Sequence, residues 1–169
     1  MSVHFVSIIM GSDSDLPLIE NTMKILKDLG INYEVRVASA HRTPDEVARY
    51  VVDAENRGCQ VFIGAAGLAA HLAGAVAART TRPVIGIPCD GGPLNGVDAL
   101  YSTVQMPGGI PVATVAVGKA GAKNAAYLAA QIMALSDPEL DLRVKEDRRK
   151  ASEAVMVKDA ALQEKLAKL

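Results

Sequence analysis

Val3-His4-Phe5-Val6-Ser7-Ile8-Ile9-Met10, then Gly11-Ser12-Asp13-Ser14-Asp15, then Leu16 through Gly30 form the stretch from which the rest of the chain can be read. The first run is apolar and β-branched, bounded by Gly11 and too short for a helix, so it predicts a buried strand. Ser14 or Asp15 caps the helix that follows, Pro17 falls in its first turn, and Gly30 stops it after Leu29.

The same pattern of strand, polar turn and helix recurs downstream. Ile31, Tyr33, Val35 and Val37 alternate at period two and predict a second strand. Thr43-Pro44-Asp45-Glu46 reads as a capping box opening a helix that ends at Gly58. Val61–Ile63 begins a third strand, and the small residues from Gly64 to Ala70 lead into an Ala-rich helix ending near Thr80. Pro83–Pro88 and Val112–Val117 predict a fourth and a fifth strand, Ser102–Pro111 a rigid loop, and Ala122–Leu135 an Ala-rich helix. Such alternation predicts an α/β fold: a parallel sheet joined by right-handed crossovers, with helices on both faces. Residues 1–135 form the doubly wound domain on this reading. Residues 136–169, rich in both charges with Leu140, Val144, Ala151 and Val155 about four apart, form an amphipathic helical tail docked on the body or a neighbouring subunit.

Composition sets the outer limits. The 169 residues are half apolar and 22% charged, with 18 Lys and Arg against 19 Asp and Glu, which suits one domain. A net charge of −1, no Trp, two Phe and four Tyr give neither the basic surface nor the stacking platforms that nucleic acid requires. The run from Val3 to Met10 is too short to span a bilayer and lacks a basic flank, so no membrane partner is expected. Cys59 and Cys89 make no disulfide framework, which suits a cytoplasmic protein, and neither has a base beside it in sequence.

In open parallel sheets ligands sit at the carboxyl ends of the strands, and three unusual clusters fall there. Gly11-Ser12-Asp13-Ser14-Asp15 offers backbone N–H groups and hydroxyls to a phosphate, with Asp15 suited to sugar hydroxyls; the same residues also make an ordinary turn and cap. Ser39-Ala40-His41-Arg42 supplies an imidazole, whose unperturbed pKa of about 6.5 suits proton transfer, and a guanidinium for an anion; Arg42 as a plain surface charge is the other reading. Gly64-Ala65-Ala66-Gly67-Leu68-Ala69-Ala70-His71 allows close backbone approach to a flat ligand, or simply tight helix-on-sheet packing. His71 opens a helix, where charge on the ring is disfavoured, so it is a weaker proton carrier than His41. His4 reads as structural, and the three histidines have no carboxylate at metal-ligand spacing.

The ordered set of Gly11-Ser12-x-Ser14-Asp15, Ser39-Ala40-His41-Arg42-Thr43-Pro44, Ala69-Ala70-His71-Leu72, Gln105-Met106-Pro107 and Gly118-Lys119-Ala120-Gly121-Ala122-x-Asn124-Ala125-Ala126 resembles the 5-(carboxyamino)imidazole ribonucleotide mutases of purine biosynthesis. The resemblance runs to about Leu135. It implies a flavodoxin-like three-layer α/β/α sandwich, a homo-octamer, and an isomerase that moves a carboxyl group from the exocyclic nitrogen to ring carbon 4 without ATP, metal or other cofactor. It implies His41 as general acid/base and Ser12, Asp15 and Arg42 as ribonucleotide ligands. Gly11, Ser14 and Ser39 lie nearby, Ala66, Gly67 and Leu72 surround the imidazole and its carboxylate, and His71 supports. Two positions depart from the common pattern: Leu68 stands where glycine is usual and Ala73 where proline is usual. A related branch carboxylates the aminoimidazole ribonucleotide directly with carbon dioxide and carries Lys after the histidine; Arg42-Thr43-Pro44 favours the mutase branch. A non-catalytic nucleotide-binding module is the reading from outside enzymology.

Overall fold

A computed structural model describes residues 4–168. β1 (Phe5–Met10) runs through the middle of the sheet, buried at every residue. It is followed by a 3-10 turn at Asp13–Asp15 and by α1 (Leu16–Asp28), with Gly30 in the left-handed region at φ +70°. Val3, where the sequence predicts that strand to begin, lies outside the described residues, and His4 is exposed just before β1. β2 (Tyr33–Val37), α2 (Pro44–Arg57), β3 (Cys59–Ala66), α3 (Leu72–Ala77) and β4 (Val84–Pro88) follow. The chain closes with α4 (Val97–Val104), β5 (Ala113–Thr114), α5 (Lys119–Ala134) and α6 (Pro138–Leu166).

All five strands are parallel in the order β2-β1-β3-β4-β5, the flavodoxin-like arrangement expected from the alternation. Period-two alternation divides the core into two layers. Val6, Ile8, Met10, Val61, Ile63, Ile85 and Ile87 face α1, α5 and the start of α6. Phe5, Ile9 and Phe62 face α2 and α3. The chain leaves β1 towards β2 on one side and returns as β3 on the other, so a crevice opens between the carboxyl ends of β1 and β3.

Four local expectations are corrected. The capping box does not form: Thr43 makes no side-chain cap bond to α2, and its Oγ1 instead accepts from the Ser39 N–H at 2.9 Å and donates to the Ser39 carbonyl at 3.2 Å. Glu46 pairs with Arg49 rather than reaching back. The third helix is shorter than its composition suggests, because Ala77 is its last residue and Thr80 turns away to donate to Glu55 at 2.6 Å. The fifth strand has two residues in the ladder; beyond it, isolated bonds from the Val115 and Gly118 N–H groups to β4 carry the chain along the sheet edge. The fourth correction is α4, which overlaps the predicted loop. It starts after Gly96, at φ +85°, and packs the Thr103 methyl into the notch left by Gly86, where a Cβ would lie 2.3 Å from it.

Only Leu140 of α6 is buried, with Val144 packed beside it. Arg143 Nε donates to the Leu29 carbonyl at 2.8 Å, and the Tyr127 hydroxyl to Asp147 at 2.8 Å. From Ala151 onward every described residue of the helix is exposed, Val155, Met156, Val157, Leu162 and Leu166 among them. The predicted apolar stripe therefore meets the body only through its first members. Among the described residues no helix is long and apolar enough to cross a membrane.

One polar chain, running from buried Ser7 out to the surface, steadies the edge strand. Ser7, fully buried on β1, lies 2.9 Å from the Tyr50 hydroxyl, which donates to Glu34 Oε2 at 3.2 Å. Arg57 pairs in fork fashion with Glu34, holding its carboxyl below the usual carboxylate range. Tyr50→Phe strands the Ser7 hydroxyl in an apolar layer. We expect a loss of about 1–2 kcal/mol in urea unfolding with unchanged far-UV dichroism, and an equal midpoint for both proteins would contradict it.

Candidate functional site

The crevice at the strand ends encloses about 620 Å³, a size suited to a mononucleotide. Each of the three sequence clusters contributes a wall. Gly11, Ser12, Ser14 and Asp15 come from the end of β1, Ser39, His41 and Arg42 from the end of β2, and Ala66, Gly67, His71 and Leu72 from the end of β3. The eleven residues expected from the sequence to form the site thus line one cavity, although 61 positions separate Gly11 from Leu72.

The first wall is a tight anion-type turn. The Gly11 N–H donates to the Ala65 carbonyl at 3.1 Å, which ties the turn to β3. Ser12, in extended conformation, caps the 3-10 turn: its Oγ accepts from the Ser14 N–H at 3.2 Å and from the Ser14 hydroxyl at 2.8 Å. Two hydroxyls thus lie side by side just before the start of α1. Asp15, not Ser14, occupies the position before α1, without a side-chain cap bond.

The second wall connects the other two. Ser39 accepts the Arg42 N–H at 3.1 Å, and together with the Thr43 contacts this folds residues 39–43 into a rigid loop. From it the Arg42 guanidinium reaches the Gly11 carbonyl at 3.4 Å, towards the first wall. The His41 ring reaches the third wall instead, with Nε2 2.6 Å from His71 Nδ1 and the rings edge to face at 85°. One of these two nitrogens carries the hydrogen and the other accepts it, so a proton can reside on either ring. The failed capping box is what makes this possible, since the Thr43 hydroxyl is spent on shaping the loop.

The third wall is held from outside the crevice. The Ala70 N–H donates to Ser102 Oγ at 2.8 Å, and that hydroxyl donates to the Asp98 carbonyl at 2.8 Å, so α4 fixes the small-residue loop. His71 sits at the position before α3, beside the positive end of that helix.

Sequence reasoning missed a fourth contribution, from the end of β4, where Cys89, Gly91 and Gly92 line the same crevice. The signal was present, because any polar or glycine-rich segment after a parallel strand falls at this end of the sheet. Burial pushes the Cys89 thiol up to about 12, and the Asp15 and Asp90 carboxylates push in the same direction, so it stays protonated and is no nucleophile at neutral pH. Burial does the same to Cys59, also up to about 12.

Asp15 itself is held above the ordinary carboxylate range, first by burial. A carboxylate raised in the folded state costs stability wherever it is charged, and the cost disappears as pH falls through the raised value. Asp15→Asn should therefore raise Tm at pH 7 by about 1–3 °C, with the gain shrinking as pH is lowered towards 4. Thermal melts at both pH values check this, and a lower Tm at pH 7 would contradict it.

A family model described as AIR carboxylase matches residues 5–154 of the chain. The N5-carboxyaminoimidazole ribonucleotide mutase of Thermotoga maritima is 50% identical over 159 residues, covering 94% of this chain and 92% of that protein. The enzyme of the same name from Pyrococcus abyssi is 52% identical over 143 residues (85% and 81%), and that of Escherichia coli K12 50% identical over 151 residues (89% and 89%). Among solved structures, Treponema denticola PurE superposes with a TM-score of 0.85 at 34% identity, covering 94% of this chain and 98% of that one.

Proposed function

The chain belongs to the AIR carboxylase family, and on that footing we propose how it moves a carboxyl group from nitrogen to carbon on an aminoimidazole ribonucleotide. The reaction is an isomerisation in purine biosynthesis: N5-carboxyaminoimidazole ribonucleotide becomes 4-carboxy-5-aminoimidazole ribonucleotide.

His41 is the proton carrier. Protonation of the exocyclic nitrogen lets its bond to the carboxyl carbon break, with the electron pair remaining on nitrogen and carbon dioxide released. Ring carbon 4 then donates a π pair to that carbon dioxide, and the tetrahedral carbon returns a proton to His41 as aromaticity is restored. One imidazole gives the first proton and takes the second, so the net proton balance is zero. His71, 2.6 Å away, orients the His41 ring.

Binding falls to the flanking walls. Arg42 and the Ser12–Ser14 turn take the phosphate, Gly11 and Ser39 shape the loops that present them, and Asp15 accepts from the ribose hydroxyls. Ala66 and Gly67 place backbone against the flat ring, and Leu72 supplies apolar surface near the carboxyl group. This division leaves carbon dioxide in a small apolar space beside the carbon it must rejoin, where recapture is effectively intramolecular.

The observation that carries the reading is the position of His41, on a loop between an anion-type turn and a small-residue wall. The test is turnover of carbamate substrate labelled at the carboxyl carbon, in excess unlabelled bicarbonate. Label retained in the carbon-linked product is expected. Full dilution of the label, with aminoimidazole ribonucleotide an equally good substrate, would establish direct carboxylation instead; binding without turnover would establish a non-catalytic module.

The working form is a cytoplasmic homo-octamer on this reading, with residues 1–135 as the catalytic body. The apolar side chains on the exposed half of α6 support an assembly in which the tail covers a neighbouring subunit. Sedimentation should give a species of eight copies, and a stable monomer would contradict it.

A further inference from the structure

Leu68 occupies a conformation that leucine avoids. Its φ is +56°, in the left-handed region, where the Cβ of an L-residue crowds the following carbonyl. Glycine at this position would release the strain, and backbone strain of this kind persists only where the surroundings over-determine it. Here they do: the Ala70 N–H, two residues on, donates to Ser102 Oγ at 2.8 Å, so α4 pins the turn from behind.

The enforced turn sends the side chain across to the next loop. A terminal methyl of Leu68 lies 2.4 Å from where a Cβ on Gly92 would stand, so it rests directly on the Gly92 backbone. Gly92, at φ +79°, leaves that space open. Both residues line the crevice that holds His41 and His71, and Leu68 remains 55% exposed, which places it at the rim. The leucine is thus an apolar bar joining the loop after β3 to the loop after β4. It contributes little burial, its backbone costs stability, and fold stability does not account for it.

We propose that Leu68 is a retention residue: it closes the rim of the crevice over released carbon dioxide and so decides how often that molecule rejoins the ring rather than escaping. The inference rests on the carboxyl-transfer reading given above. In the productive course the carboxyl carbon leaves nitrogen and bonds carbon 4. In the leak the same bond breaks, its electron pair stays on the nitrogen protonated by His41, and carbon dioxide diffuses away, leaving aminoimidazole ribonucleotide. An apolar rim suits an uncharged gas and excludes the water that would hydrate it.

The experiment measures partition. Carboxyl-labelled carbamate substrate is turned over by the wild-type protein, Leu68→Gly and Leu68→Met, with escaping label trapped and both ribonucleotides quantified. Leu68→Gly should raise the escaping fraction by about fivefold or more, with KM within about twofold of wild type and Tm unchanged or higher, since strain is relieved. Leu68→Met should restore retention, as an apolar chain of similar volume. An escaping fraction in Leu68→Gly equal to that of wild type overturns the proposal, as does a lower Tm and slower turnover at unchanged partition, which would mark a structural residue. A wild-type protein that leaves the substrate unchanged overturns the carboxyl-transfer reading itself, and this proposal with it.

Discussion

A His41→Asn variant is expected to bind the ribonucleotide product about as tightly as the wild-type protein and to turn substrate over roughly 10²–10⁴ times more slowly. Asparagine keeps a polar group of similar reach but cannot exchange a proton near neutral pH. The binding walls do not depend on the imidazole: the Arg42 N–H is held by Ser39, and the Ser12 turn is anchored to β3 through Gly11. Loss should therefore fall on kcat, since the imidazole acts in the proton transfers of the chemical steps and not in holding the ribonucleotide. Calorimetric titration with product alongside steady-state kinetics separates the two effects. Near wild-type turnover would remove His41 from the chemistry, and abolished binding would make it a ligand for the ribonucleotide instead.

Arg42→Ala carries the second large effect, on affinity. Among the described residues Arg42 has no carboxylate partner; its guanidinium contacts only the Gly11 carbonyl, at 3.4 Å, which leaves it available for an anion at the mouth of the first turn. A hydrogen bond to a charged group contributes about 1.5–3 kcal/mol, so affinity and KM should worsen by roughly 10–150-fold. Lysine at this position keeps the charge and loses the fork, and should recover only part of the loss. The effect should also weaken at high salt, because a partly exposed guanidinium is screened. An unchanged KM and product affinity would contradict the assignment.

The two effects differ in kind because the loop after β2 sends its two functional side chains in opposite directions. His41 goes to the third wall and Arg42 to the first. The distortion that allows this is local: Thr43 gives up its cap to brace Ser39, and α2 starts without a side-chain acceptor for its first N–H groups, leaving Pro44, which has no N–H, to open it. The capping-box pattern was legible in sequence, but the competing bond to Ser39 was not. A hydroxyl chooses between two nearby backbone partners according to the loop geometry, which the pattern does not encode.

Other misses have similar causes. α4 carries Val97, Thr103 and Val104, poor helix formers, and its packing rests on the notch at Gly86, seventeen residues before the Thr103 that fills it. Of the two docking surfaces the tail's periodicity allows, the body takes only its first turns, through Leu140 and the Arg143 bond to the Leu29 carbonyl. Cys89 without a neighbouring base, and Gly91 and Gly92 without side chains, carry no chemical signature in sequence; their place at a strand end gives them their part in the crevice.

Period-two and helical periodicity, with glycines at the stops, determined by themselves that this chain is a parallel α/β sheet, and strand-end position determined which residues share its ligand side. These are repeating local signals, each carried within a dozen residues. Tertiary structure alone decided that two histidines thirty positions apart meet at 2.6 Å, that a leucine is bent into a glycine's conformation against Gly92, and that a fourth loop joins the site. Those contacts arise where separate crossovers return the chain to one end of the sheet, and their distances depend on the packing of every layer between them.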